Sequence, residues 1–101
     1  MTILVTGTID FDPAKREEAI AAVKTAMEAT LTEDGCEGYT FSGDLTNEGR
    51  FIINEQWASQ EAMDTHMQSP NLADLMAAWG ACGVTGVSLT KWDGATPSKL
   101  M

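Results

Sequence analysis

Residues 50–70 read RFIINEQWASQEAMDTHMQSP. The first half is rich in β-branched and aromatic residues, Phe51, Ile52, Ile53 and Trp57, as a strand requires. Ser59 then stands where a helix N-cap belongs, and Ala62, Met63, His66 and Met67 share one helical face. Ser69-Pro70 interrupts that helix, because proline has no place in a helix interior. The stretch is a strand-to-helix unit that gathers a large aromatic, a carboxylate and the only histidine of the chain.

The flanking sequence supplies the remaining elements. Residues 38–45 form a strand with Tyr39, Phe41 and Gly43 on one face. Thr46-Asn47-Glu48-Gly49 is turn material, so this strand and residues 50–58 make a hairpin. Residues 2–10, rich in Ile, Leu, Val and Thr, are an earlier strand. Asp12 and Pro13 start a helix expected over residues 13–32, with Ile20, Val23, Met27 and Leu31 as its apolar stripe and Asp34-Gly35 as its end. After the Ser69-Pro70 break, residues 71–81 carry Leu72, Leu75, Met76 and Trp79 on a further helical piece. Residues 84–92 alternate as a last strand, and residues 94–101 form a polar tail that is loose or reaches a partner.

The order β-α-β-β-α-β predicts an α+β, ferredoxin-like fold. Two right-handed crossovers put both helical layers on one face of a four-stranded antiparallel sheet. The domain is expected over residues 1–93. The opposite sheet face is left bare, and a second copy related by a two-fold axis is the simplest cover, giving a homodimer.

Composition limits the function. With 101 residues, 44% of them hydrophobic, the chain is one globular domain. Fifteen acidic against 6 basic residues give a net charge of −9 and no basic cluster, which excludes nucleic acid and anionic membrane surfaces as partners. No apolar run approaches the ~18 residues of a membrane span. No basic leader precedes an apolar segment at the N-terminus. Cys36 and Cys82 are too few for a disulfide framework, and a cytoplasmic location is expected. One histidine among scattered carboxylates is no metal-ligand pattern, so no metal is expected.

Two stretches resemble the antibiotic biosynthesis monooxygenase family. Glu33-Asp34-Gly35-Cys36-Glu37-Gly38-Tyr39 is similar to its E-x-G-C-x-x-Y turn into the second strand. Glu55-x-Trp57-x-Ser59, followed by Glu61-Ala62, His66 and Ser69-Pro70, is similar to its E-x-W-x-S-x-E-A…H…S-P run. The resemblance implies a dimeric α/β barrel with a pocket in each subunit between helices and sheet. It also implies oxidation of quinols or polycyclic phenols by O₂ with no metal or flavin. A haem-degrading branch, which uses an Asn on the first strand with a Trp and a His, provides the alternative. This chain has Thr6, Gly7 and Thr8 on that strand and no Asn.

On this reading His66 is the candidate base that takes a phenolic proton, or else a half-buried histidine bonded to a neighbour. Trp57 is a wall stacking on a flat substrate, or a core or interface aromatic. Glu55 points to the same side of its strand as Trp57 and either orients His66 or makes a structural hydrogen bond. Met63, Met67, Met76 and Trp79 are candidate lining residues, adaptable to an irregular aromatic ligand, though the same residues suit plain helix-on-sheet packing. Asn54 points away from Glu55 and Trp57 and joins their site only through a bulge. The expected catalytic set is therefore His66, Trp57 and Glu55. No cofactor is expected beyond the haem alternative, with His66 as its iron ligand. A binding module that holds a small aromatic without turning it over is a third reading.

Overall fold

The computed structural model describes residues 2–101. Met1, the first residue of the expected 1–93 domain, lies outside the described residues. The elements are β1 (Thr2–Asp10), a 3-10 turn (Pro13–Lys15), α1 (Arg16–Thr30), β2 (Cys36–Asp44), β3 (Asn47–Trp57), α2 (Gln60–Met67), α3 (Pro70–Ala81) and β4 (Gly86–Ala95). The strands form one antiparallel sheet in the order β2-β3-β1-β4, which is the ferredoxin-like arrangement.

Period-two alternation decides the two faces. Ile3, Val5 and Ile9 of β1, Phe51, Ile53 and Trp57 of β3, and Tyr39 and Phe41 of β2 all turn towards the helices and are buried. Val87 and Leu89 of β4 share that side but remain half-exposed, because the helical layer stops short of this edge strand. Leu4, Thr6, Ile52, Asn54, Gln56 and Trp92 occupy the other face. An Asp10–Arg50 ion pair at 2.6 Å joins the end of β1 to the directly paired position of β3.

Several boundaries differ from the sequence-based expectation, each for a local reason. Asp12 accepts a hydrogen bond from the Ala14 amide, and the first turn after Pro13 is 3-10 before the α-helix starts at Arg16. The buried seam of α1 is Ala19, Val23, Ala26 and Thr30; Ile20 and Met27 flank it, and Leu31 is exposed. Alanines on the seam let α1 lie close to its neighbours, and the larger side chains fill the margins. The hairpin closes at Leu45-Thr46 rather than over residues 46–49. There the Asp44 carboxylate accepts from both the amide and the hydroxyl of Thr46, so Asn47 and Glu48 are released into β3. β4 starts after Val84 and Thr85 and runs on to Ala95, two residues beyond the domain limit expected at residue 93.

The helix pair α2 and α3 is built as two capped pieces. The Ser59 hydroxyl accepts from the Ala62 amide at 3.1 Å, and the Ser69 hydroxyl accepts from the Leu72 amide at 3.2 Å. Pro70 takes the first position of α3, where a missing N–H costs nothing. The corner between the two helices places the last turn of α2, with His66, beside the first turn of α3.

Candidate functional site

His66 is 2% exposed and held on three sides. Its ring stacks on the Trp57 indole, with centroids 4.7 Å apart and planes at 30°. Tyr39 meets it edge-on, with a centroid distance of 5.3 Å. Its Nδ1 lies 3.0 Å from Oε1 of Glu33, in the turn between α1 and β2. The second oxygen of Glu33 accepts from Nδ2 of Asn71, in the first turn of α3, at 2.9 Å. One carboxylate therefore ties the end of α2 and the start of α3 to the turn that opens β2.

Beside the histidine lies an apolar cavity of about 250 Å³ between the sheet and α3. Tyr39, Glu55 and His66 contribute its polar groups. Leu72 and Trp79 line the helical side, and Val87 and Leu89 the β4 side. Met67 and Met76 also border the cavity and are more than half-exposed, so they sit at its rim. Nδ1 of His66 is taken by Glu33, which leaves Nε2 as the ring nitrogen available to a ligand. On the far side of the His66–Glu33 contact is a wider outer cleft, bordered by Glu33, Glu61, Asp64 and Asn71.

Of the two readings for Glu55, the geometry has the structural hydrogen bond: one of its oxygens accepts from Trp57 Nε1 at 2.9 Å, and the carboxylate on His66 is Glu33. Burial pushes the Glu55 carboxyl above its ordinary value; the Trp57 hydrogen bond and the nearby His66 work against that shift, and Glu33 adds to it. Tyr39 is also pushed up, by burial first and then by the negative Glu55 and Glu33, so its phenol stays neutral and is no base. Burial raises the Cys36 thiol in the same way, helped by Glu33 and Glu55, which opposes thiolate chemistry there.

The structure thus gathers His66, Glu55, Met67, Met76 and Trp79 around one cavity. Trp57, read as its wall or as a core or interface aromatic, lies one layer deeper, with 0% exposure, and stacks on the histidine. Met63 packs partly buried against the core without lining the cavity. Asn54 lies on the opposite sheet face, beside Leu4, Thr6 and Thr40. Sequence reasoning left Glu33 and Asn71 out of the site. Glu33 opens the first family-like stretch and Asn71 follows Ser69-Pro70, so adjacency to those motifs was the available signal. Among the described residues no helix is long and apolar enough to cross a membrane.

Residues 2–78 match the antibiotic biosynthesis monooxygenase family. A protein of Synechocystis sp. that carries no assigned function is 40% identical over 68 residues, 67% of this chain; the chain spans about half (46%) of that curated relative's length. A crystal structure from Deinococcus radiodurans, named after the same family, superposes with a TM-score of 0.90 at 27% identity, covering 98% of both chains. One from Caulobacter crescentus, similarly named, has a TM-score of 0.84 at 25% identity over 94% of this chain and 91% of its own. The matched segment includes Glu33, Glu55, Trp57 and His66, and the chain belongs to the antibiotic biosynthesis monooxygenase family.

Proposed function

We propose that the protein oxidises a small aromatic diol or phenol with O₂, without a cofactor, and that His66 is the base. One observation carries this reading: the chain's single imidazole borders an apolar cavity with Nε2 free, its Nδ1 already held by a carboxylate. His66 Nε2 takes the phenolic proton, and the resulting phenolate is electron-rich enough to pass one electron to O₂. The radical pair joins at a ring carbon as a peroxide anion, to which His66 returns its proton, and the resulting hydroperoxide loses water with the hydrogen of that carbon to leave a carbonyl. A dihydroxyarene and O₂ thereby become a hydroxyquinone and water, and the substrate supplies all four electrons. The protein has to deprotonate, orient and exclude bulk water, tasks that suit an apolar pocket with one polar wall.

Size narrows the substrate. A dry cavity of roughly 150 Å³ accepts one benzene ring. At about 250 Å³, this one suits one or two fused rings rather than a long polycycle. The first strand lacks the Asn of the haem-degrading branch, which favours the oxygenase over the haem reading. We further propose that the protein works as a homodimer through its bare sheet face, and in the cytoplasm, where the free Cys36 and Cys82 would stay reduced.

The deciding experiment follows O₂ uptake by the metal-free protein with one- and two-ring diols. His66→Ala should lower kcat about 10²–10⁴-fold, the range of general-base catalysis, with binding largely kept. Ligand-induced tryptophan quenching without O₂ uptake would replace the oxygenase reading with a binding module.

A further inference from the structure

We propose that Glu33 is the positioning residue of the site: it holds the His66 imidazole with its proton on Nδ1 and its lone pair on Nε2. The proposal deepens the oxygenase reading and rests on it only for its kinetic consequence. A carboxylate accepts hydrogen bonds and donates none. At 3.0 Å from Glu33 Oε1, Nδ1 must therefore carry the proton of the neutral ring.

The surroundings leave this task to Glu33. Stacking on Trp57 and the edge contact with Tyr39 fix the plane of the ring, yet both tolerate a half-turn that would exchange Nδ1 for a carbon. Only a polar contact at Nδ1 distinguishes the two orientations. The other titratable groups facing the ring do not compete for it. Glu55, from β3, is engaged by Trp57 Nε1, and the phenol of Tyr39, from β2, is neutral and turned edge-on. The Glu33 carboxylate is itself anchored, because Asn71 donates to its second oxygen at 2.9 Å, and its side chain is only 17% exposed. In Ser-His-Asp hydrolases a buried carboxylate acts on a histidine in the same manner, selecting the tautomer without taking up the proton.

The test uses the whole chain, in which the lone histidine gives an unambiguous nitrogen signal. A long-range proton–nitrogen spectrum of the wild type, at a pH that leaves the ring neutral, should show one form, protonated on Nδ1. A ring protonated on Nε2, or an even mixture of the two forms, would overturn the proposal. Glu33→Ala, checked for folding by its backbone spectrum, should show both forms. With a diol substrate its kcat should fall about 10²-fold or more while KM stays within about threefold, since the imidazolium formed when Nε2 takes the proton loses its carboxylate partner and only part of the rings keep Nε2 unprotonated. A Glu33 with only a structural role would lower stability and leave the tautomer unchanged, which would also overturn the proposal. Should Glu33→Ala not fold, the wild-type spectrum decides alone. If the wild type consumes no O₂ with any diol, the oxygenase reading falls, and the tautomer result still decides the role of Glu33.

Discussion

Glu55 shows how one side chain can be placed against its own electrostatic preference. It sits on the central strand β3, paired with Val5 on one side and Tyr39 on the other, facing an apolar cavity. A carboxyl in such a place favours its neutral form, and only the Trp57 N–H and the nearby His66 offset this. The stability consequence has a definite sign. The folded state holds the Glu55 proton more tightly than the unfolded chain does. The stabilisation is therefore fully present below the ordinary value of 4.5 and is lost as pH rises through the higher folded value. Glu55→Gln keeps the shape and a carbonyl for the Trp57 N–H while removing the charge. Its melting temperature should exceed the wild type's at pH 7, with the gap closing towards pH 4. A variant less stable than wild type by the same margin at both pH values would show that burial of the charge is not the controlling cost.

At the scale of elements, the α1–β2 turn is where motif and packing meet. Gly35 has a φ of +77°, in the left-handed region, and a Cβ built on it would stand 2.5 Å from the Cβ of Ala62 in α2. The Gly35 carbonyl also accepts from the Ala58 amide at 2.8 Å, which draws the turn onto the end of β3. The glycine of the first family-like stretch and the alanine of the second are thus one contact. Gly35→Ala should cost about 1–2 kcal/mol for the backbone conformation, and a further ~1–3 kcal/mol for overpacking. Adding Ala62→Gly should recover the overpacking part, so a double-mutant cycle in denaturant should show coupling between the two sites. Strict additivity would refute the contact. This turn also marks how far the sequence could be read. The helix break at Ser69-Pro70 was legible because a cap and a proline signal it locally. The alternation that put Tyr39 and Phe41 on one face of their strand, and Glu55 with Trp57 on one side of theirs, was legible for the same reason. Glu33 was not legible as the partner of His66, because an acid in a turn looks solvated until the fold brings α2 and α3 over it. Asn47 and Glu48 carry turn-like composition, yet the Asp44 side chain closes the hairpin before them.

Across the whole molecule the two sheet faces are unequal. One is covered by helices and encloses the cavity; the other presents Leu4, Ile52 and Trp92 among threonines and amides, with Trp92 55% exposed and its Nε1 donating to Thr6. An exposed tryptophan on a sheet with no helical cover is the anchor expected of an interface, and isologous pairing of two such faces would enclose both copies' Trp92. Charge opposes this association, since each copy carries −9. A dimer formed through this face should therefore tighten as salt screens the repulsion, in contrast to an assembly held by ion pairs. Sedimentation should give about twice the 10.8 kDa of one chain, with the monomer fraction falling as salt is raised. Trp92→Glu should shift the protein to monomer, because it replaces an apolar anchor with a charge facing its own copy across the axis. His66 and Glu33 lie on the other side of the sheet, so the imidazole tautomer should be the same in that monomer as in the wild type. A Trp92→Glu protein that still sediments as the wild type does would move the interface away from this face.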